Sequence, residues 1–308
     1  MSPIRLALVG MGKIARDQHL PAIAGNPNFA LAATVSRNEP GVAGVPHAKT
    51  LEALLAEGTA FDAVVLCTPP QVRYALAHLA LSRGFHVFLE KPPGATLSEV
   101  EALREEADKR RLTLFASWHS RYAPGVEPAR AWLAGRSITR VSVVWREDVR
   151  VWHPGQTWIW EAGGLGVFDP GINALSILTH IFPRPFFLTE ATLSVPENRA
   201  APIAAMMHFR DAMGTPIAMD LDWRQTGPQS WDIAVETEDG SLKLSSGGAV
   251  LSLPAGTQSE QEREYPNLYS RFEVLLRTGA SDVDVRPLRH VADAFLCGHR
   301  KTVEPFHD

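Results

Sequence analysis

Along the first third of the chain, short unbroken apolar runs alternate with longer stretches in which apolar positions recur every three or four residues. The runs Ile4–Val9, Phe29–Val35, Ala63–Cys67, His86–Leu89 and Thr113–Ala116 read as buried strands. The stretches Ile14–Ala24, Thr50–Ala56, Val72–Ser82 and Leu97–Lys109 read as amphipathic helices, the first bent or shortened by Pro21. Short apolar runs separated by helices imply parallel strands joined by right-handed crossovers. The expected fold is therefore α/β, a doubly wound parallel sheet of Rossmann type.

After about His119 the texture changes. Strand-like segments follow one another at Thr139–Glu147, Phe186–Val195, Ile203–Phe209, Ile217–Leu221, Trp231–Glu236, Leu242–Leu244 and Val250–Leu253. Turn signals such as Asp239-Gly240 and Gly247-Gly248 separate several of them. Gly171–Ile181 is the strong helix candidate among these strands. This pattern predicts a C-terminal α+β domain with a large, mostly antiparallel sheet. The expected division is 1–118 and 119–308, and a last helix over Pro287–Leu296 could dock on either domain.

Composition narrows the function classes. A chain of 308 residues has room for two cores. With a formal net charge of -4 and no long basic run, neither nucleic acid nor a membrane surface is expected as principal partner. The two cysteines, Cys67 and Cys297, exclude a disulfide framework and suggest no metal site. No signal peptide and no membrane-spanning run is evident, so a cytoplasmic location is expected.

The most informative segment is Gly10-Met11-Gly12-Lys13-Ile14-Ala15, a G-x-G-x-x-A sequence at the end of the first predicted strand. Gly10 permits a sharp turn, and Gly12 lets the backbone approach a pyrophosphate. Ala15 lets the following helix pack closely. Free N–H groups at the helix start, around Lys13 and Ile14, suit phosphate oxygens. Ser36-Arg37 closes the second strand, where an NAD-selective site places an acid for the ribose 2′-hydroxyl. A hydroxyl and a guanidinium there suit a 2′-phosphate, so NADP is the preferred cofactor and NAD the second. The alternative for Arg37 is an exposed strand-end charge.

Two further constellations carry chemistry. Glu90-Lys91-Pro92-Pro93 ends the fourth predicted strand, which aims Lys91 toward the cofactor, although a surface lysine is the plain alternative. Gly163-Gly164…Phe168-Asp169-Pro170-Gly171-Ile172-Asn173 leads into the predicted helix. If that helix starts near Pro170, Asp169 is a natural N-cap. Asp169 and Asn173 also share a helix face, and together could deprotonate and orient a hydroxyl.

These motifs, in this order and with Gln18-His19-Leu20-Pro21-Ala22-Ile23 after the fingerprint, resemble the Gfo/Idh/MocA oxidoreductases. Further likeness lies in Pro69-Pro70-Gln71-Val72-Arg73-Tyr74, Trp118-His119-Ser120-Arg121 and Trp152-His153-Pro154-Gly155-Gln156. It points to those members that oxidise the anomeric carbon of L-arabinose or D-galactose to a lactone with NAD(P). The resemblance implies that Thr68, Pro69 and Glu90 join Gly10, Gly12, Lys13, Ile14, Ser36, Arg37 and Lys91 around the dinucleotide. It also implies Lys91, Asp169 and Asn173 as the catalytic set. Many members read D-x-G-x-H where this chain has Asn173, and an amide is no base at neutral pH. Asp169 is then the preferred proton acceptor, with Lys91 as the alternative.

His119, Glu147 and His153 are candidates for gripping sugar hydroxyls, with Trp152 as a stacking wall. Each also has a plain structural reading as a solvated charge, a surface group or a packing residue. A small-molecule sugar is the expected partner, together with a second copy of the chain in a dimer or tetramer. Two other functions fit the same residues: a non-catalytic NADP-binding regulator, or a polyol or dihydrodiol dehydrogenase.

Overall fold

The five apolar runs of the first unit become parallel strands, and a short sixth strand, β3, joins them: β1 (Ile4–Val9), β2 (Phe29–Val35), β3 (His47–Ala48), β4 (Ala63–Leu66), β5 (His86–Leu89) and β6 (Leu114–Ala116). Their order is β3-β2-β1-β4-β5-β6, every pairing parallel, the doubly wound arrangement expected from sequence. Leu6, Ala7, Leu8 and the whole of β4 are buried. Burial on both faces is why these segments read as unbroken apolar runs and not as alternation. β3 is too short to leave a hydrophobic signature.

A computed structural model describes residues 2–307, and they form two units. The first is Met1–Trp118 with Tyr265–Val285, the second His119–Glu264 with Arg286–Asp308. The single boundary expected after residue 118 is thus corrected. The chain returns to the first unit through a helix, Glu264–Thr278, that the sequence reading did not include. Its buried Tyr265, Leu268, Tyr269, Phe272 and Leu275 have helical spacing, a signal present in the sequence. Tyr269 and Phe272 pack on Phe29 and Phe88, and Phe272 also stacks on Phe115. The last helix, Arg286–Cys297, belongs to the second unit.

The helix after the fingerprint is not uniform. Ala15–His19 forms a wide π turn that runs into the α-helical Leu20–Ala24. Pro21 has no N–H to give to the turn before it, and its ring crowds the carbonyl four residues back. The wider turn answers this, with the Leu20 N–H donating to the Ala15 carbonyl. His19 is thereby turned into the interior, where it is fully buried.

The second unit is built on nine strands: β7 (Ile138–Arg146), β8 (Phe186–Pro196), β9 (Ala204–Asp211), β10 (Pro216–Asp222), β11 (Ser230–Thr237), β12 (Gly240–Ser245), β13 (Val250–Leu253), β14 (Gly256–Ser259) and β15 (His299–Val303). The order is β14-β13-β12-β11-β7-β10-β9-β8-β15. Most pairings are antiparallel, but β7 pairs with β10, and β8 with β15, in parallel. Inward residues alternate along the strands: Val141, Val143 and Trp145 on β7; Met207 and Phe209 on β9; Ile217, Met219 and Leu221 on β10. The almost wholly buried helix Phe168–Ile181 covers this face. Gly171 allows the close approach, since a Cβ there would lie 2.5 Å from a Leu221 methyl. The opposite face carries Val144, Ala218, Ala234 and the exposed Met206 among ion pairs, including Arg146–Asp220 and Lys243–Asp232.

Two glycines of the fingerprint differ in what the fold asks of them. Gly10 has φ +93° and lies against the end of β4, where a Cβ would meet the Cys67 carbonyl carbon at 2.9 Å. A Cβ on Gly12 would meet nothing within 4 Å. Gly10→Ala should therefore lower the unfolding free energy by about 1–3 kcal/mol, as read by urea denaturation. Gly12→Ala should leave it within about 0.5 kcal/mol. Equal losses at both positions would contradict this division of labour.

Candidate functional site

In the first unit, the polar groups gather at the carboxyl ends of the parallel strands. Gly10 is tied to the neighbouring strand by its N–H, which donates to the Val35 carbonyl at 2.8 Å. The chain then turns into the helix, with Lys13 paired to Asp17 and Ile14 partly exposed. After β2, Ser36 Oγ accepts the Glu39 N–H at 3.2 Å, while Arg37 stands exposed. Arg16 donates to the Pro40 carbonyl at 2.7 Å and so closes the same turn.

Beyond β4, Thr68 Oγ1 and Gln71 Oε1 are buried without a hydrogen-bond partner, as is Ser117 Oγ just past β6. Buried polar atoms rarely stay unpaired in a protein without a ligand to meet them. Nor does the protein itself require a glycine at position 12. Both observations fit a dinucleotide laid across this edge, its pyrophosphate at the helix start near Gly12, Lys13 and Ile14. Pro69 precedes the Pro70–Ser82 helix, next to Thr68.

Glu90 differs from the expectation of a residue lining the cofactor. Its carboxylate is buried and committed to the protein. Oε1 accepts from Tyr265 Oη at 2.7 Å and faces His19 Nε2 at 3.1 Å, while Oε2 accepts the Lys91 N–H at 2.7 Å. Burial, reinforced by Cys67 and Glu90, raises the Tyr269 phenol well above its usual range and keeps it protonated. Its hydroxyl lies 2.8 Å from His19 Nδ1, and the same ring presents Nε2 to Glu90. Arg73, also buried, donates to the Thr68, Glu90 and Pro92 carbonyls. It thus ties the turn after β4 to the segment carrying Lys91, a role its place on a helix does not reveal in the sequence.

In the second unit, strand direction builds the site. Because β7 and β10 run parallel, their carboxyl ends lie together, and antiparallel β11 begins beside them. Glu147 follows β7, Trp223 follows β10, and Trp231 is the second residue of β11. The indole N–H groups of Trp223 and Trp231 donate to Glu147 at 3.2 and 2.8 Å. Two donors, one at each oxygen, meet a carboxylate only 3% exposed.

His153, past the short helix Val149–Trp152, lies between two acids. Its Nε2 is 3.7 Å from Glu147 Oε1 and its Nδ1 is 3.6 Å from Asp169 Oδ2. The helix carrying Asp169 starts at Phe168 and its N-cap is Val167, without a side-chain cap bond. Asp169 is therefore inside the first turn, not the N-cap that a start near Pro170 would make it. One turn on, Asn173 is half-buried on the same helix. Trp152 is 40% exposed and tilts against Trp231 at 4.9 Å between ring centroids. His119 is paired with Glu264 at 2.5 Å. Of the residues singled out from sequence, the structure thus gathers Glu147, His153 and Asp169, with Trp152 beside them through Trp231. Trp223 and Trp231 were not anticipated, because pairing across strands leaves no local signal.

No helix among the described residues is long and apolar enough to cross a membrane, and none of their acidic, histidine or cysteine side chains cluster as a metal site.

Residues 4–117 match the oxidoreductase family described by its NAD-binding Rossmann fold, GFO_IDH_MocA. The galactose 1-dehydrogenase of Pseudomonas fluorescens is 46% identical over 311 residues, spanning all of both chains. The crystal structure of a D-galactose-1-dehydrogenase protein from Rhizobium etli superposes with a TM-score of 0.96 at 62% identity, covering 100% of this chain and 99% of that one. KijD10, a 3-ketoreductase from Actinomadura kijaniata solved with NADP and TDP-benzene, shares the fold at a TM-score of 0.84 and 17% identity, over 98% of this chain and 99% of its own. With the dinucleotide turn, the Glu90-Lys91-Pro92 segment and the Asp169 helix in family order, the chain belongs to the Gfo/Idh/MocA oxidoreductases.

Proposed function

We propose that this protein is an NAD(P)-dependent aldose 1-dehydrogenase that oxidises the anomeric carbon of D-galactose, and of L-arabinose, to the lactone. The observation that carries this reading is the cluster Glu147–His153–Asp169, bordered by Trp223, Trp231 and Trp152. Carboxylates and an imidazole bind sugar hydroxyls, and indole faces suit the C–H face of a pyranose. Full-length relatives that act on galactose support the substrate class. D-Galactose and L-arabinose share their ring hydroxyl configuration and differ at C5, so groups that read those hydroxyls serve both sugars.

Bound NAD(P)+ supplies the hydride acceptor. Gly10, Gly12, Lys13, Ile14, Thr68 and Pro69 are proposed to hold it, with Ser36 and Arg37 at the 2′-phosphate favouring NADP. Asp169 takes the proton of the anomeric hydroxyl. Lys91 polarises that hydroxyl, positioned by Glu90 through its hydrogen bond to the Lys91 N–H. Asn173 orients the sugar or the nicotinamide amide. Glu147, with His119 and His153, grips the other hydroxyls, and Trp152 forms a wall. A cytoplasmic location goes with this reading. So does a homo-oligomer in which a second copy covers the helix-free sheet face around Val144, Ala218 and Met206, which light scattering would detect.

Three substitutions test these assignments. Arg37→Ala should raise the KM for NADP by about ten- to a hundredfold and leave that for NAD nearly unchanged. Equal effects on both would remove Arg37 from the phosphate. Asp169→Asn should cut kcat with D-galactose by about 10²–10⁴-fold while NADP binding stays within a few-fold. Wild-type turnover would exclude Asp169 from the proton transfer. Glu147→Gln exchanges an acceptor oxygen for an amide that cannot accept both indole N–H groups, so kcat/KM for the sugar should fall about five- to a hundredfold. Deoxy and epimeric analogues check that loss: a penalty equal for every analogue would show that no particular hydroxyl had lost its partner.

A further inference from the structure

The imidazole of His153 has an arrangement that packing alone does not explain. It is 15% exposed, its two nitrogens face two different carboxylates, and its Nδ1 is buried without a hydrogen-bond partner. Most buried polar atoms are hydrogen-bonded, so an unpaired Nδ1 aimed at a carboxylate calls for an explanation. Trp223 holds the ring at a tilt, 5.2 Å between centroids. One turn along the helix from Asp169 this chain has Asn173, whose amide is no base. An imidazole beside Asp169 is instead brought in by a different segment, the turn after Val149–Trp152.

Resting on the dehydrogenase reading above, we propose that His153 is the proton relay for Asp169. In the reaction the C1–H bond gives its electron pair and hydrogen to NAD(P)+, and the anomeric O–H bond gives its proton to Asp169 as the C=O bond forms. The proton then passes from Asp169 to Nδ1 of the neutral ring, whose Nε2–H faces Glu147. Uptake of that proton at Nδ1 is balanced by loss of the Nε2 proton on the Glu147 side, which returns the ring to its neutral form. Separations of 3.6 and 3.7 Å are spanned by a bridging water or a small ring movement.

The test compares wild type, His153→Gln and His153→Gly with D-galactose and NADP. A relay predicts that kcat falls about 100-fold in both variants while the KM for NADP stays within about threefold. Free imidazole should restore turnover to His153→Gly. Wild-type kcat with only a raised sugar KM would leave His153 a hydroxyl contact and nothing more, and would overturn the relay. A kcat loss that imidazole leaves untouched would overturn it too, as the mark of a structural ring. Thermal melts and NADP binding check the fold, and where the glycine variant does not fold, the kcat of His153→Gln decides. If wild type turns over no aldose, the dehydrogenase reading falls and the relay with it. If wild type is active and His153→Gln keeps full kcat, the relay alone falls.

Discussion

A carboxylate taken out of water must be met by donors, and each unit of this chain is organised at its functional end by one that is. In the first unit it is Glu90, held by Tyr265 and His19 at one oxygen and by the Lys91 N–H at the other. In the second it is Glu147, held by two indole N–H groups. Leaving either acid short of partners would cost on the order of 1–3 kcal/mol per lost bond or more, because the remaining charge stays buried. The surrounding elements are therefore fixed relative to these acids. Glu90 constrains the π turn bearing His19, the returning helix bearing Tyr265 and the segment bearing Lys91. Glu147 constrains the ends of β7, β10 and β11.

This explains how irregular features serve the chemistry. The π turn forced by Pro21 delivers His19 to the interior, and the return of the chain at Tyr265–Val285 delivers two phenols to the same cluster. Arg73 fastens the adjoining turns through three carbonyls. The backbone around Lys91 is thus held by side chains from four segments. In the second unit the same logic fixes His153, whose ring lies against Trp223 and between Glu147 and Asp169.

What the sequence made legible is what local physics determines. The doubly buried strands showed as apolar runs, and the fingerprint showed through Gly10, which serves a turn, and Gly12, which leaves open space. Asp169 and Asn173 on one helix face followed from helical spacing. What depends on distant segments was hidden. The parallel pairing of β10 with β7, which sets Trp223 and Glu147 side by side, has no local signature. β15 is mostly exposed and lacks a hydrophobic pattern. The helix Glu264–Thr278 did carry a periodic pattern, and its place in the first unit could not be read from it. The N-cap expected of Asp169 failed because the helix begins two residues before Pro170, at Phe168. The aspartate is thereby left without a capping role.

The central claim is that C1 of a pyranose delivers its hydrogen to the nicotinamide. D-galactose carrying deuterium at C1 tests it most directly, by mass spectrometry of the reduced dinucleotide and the sugar product. The account predicts deuterium in the reduced dinucleotide, a lactone without it, and turnover slower than with unlabelled sugar. Deuterium retained in the sugar, or a reduced dinucleotide without label, would contradict oxidation at the anomeric carbon.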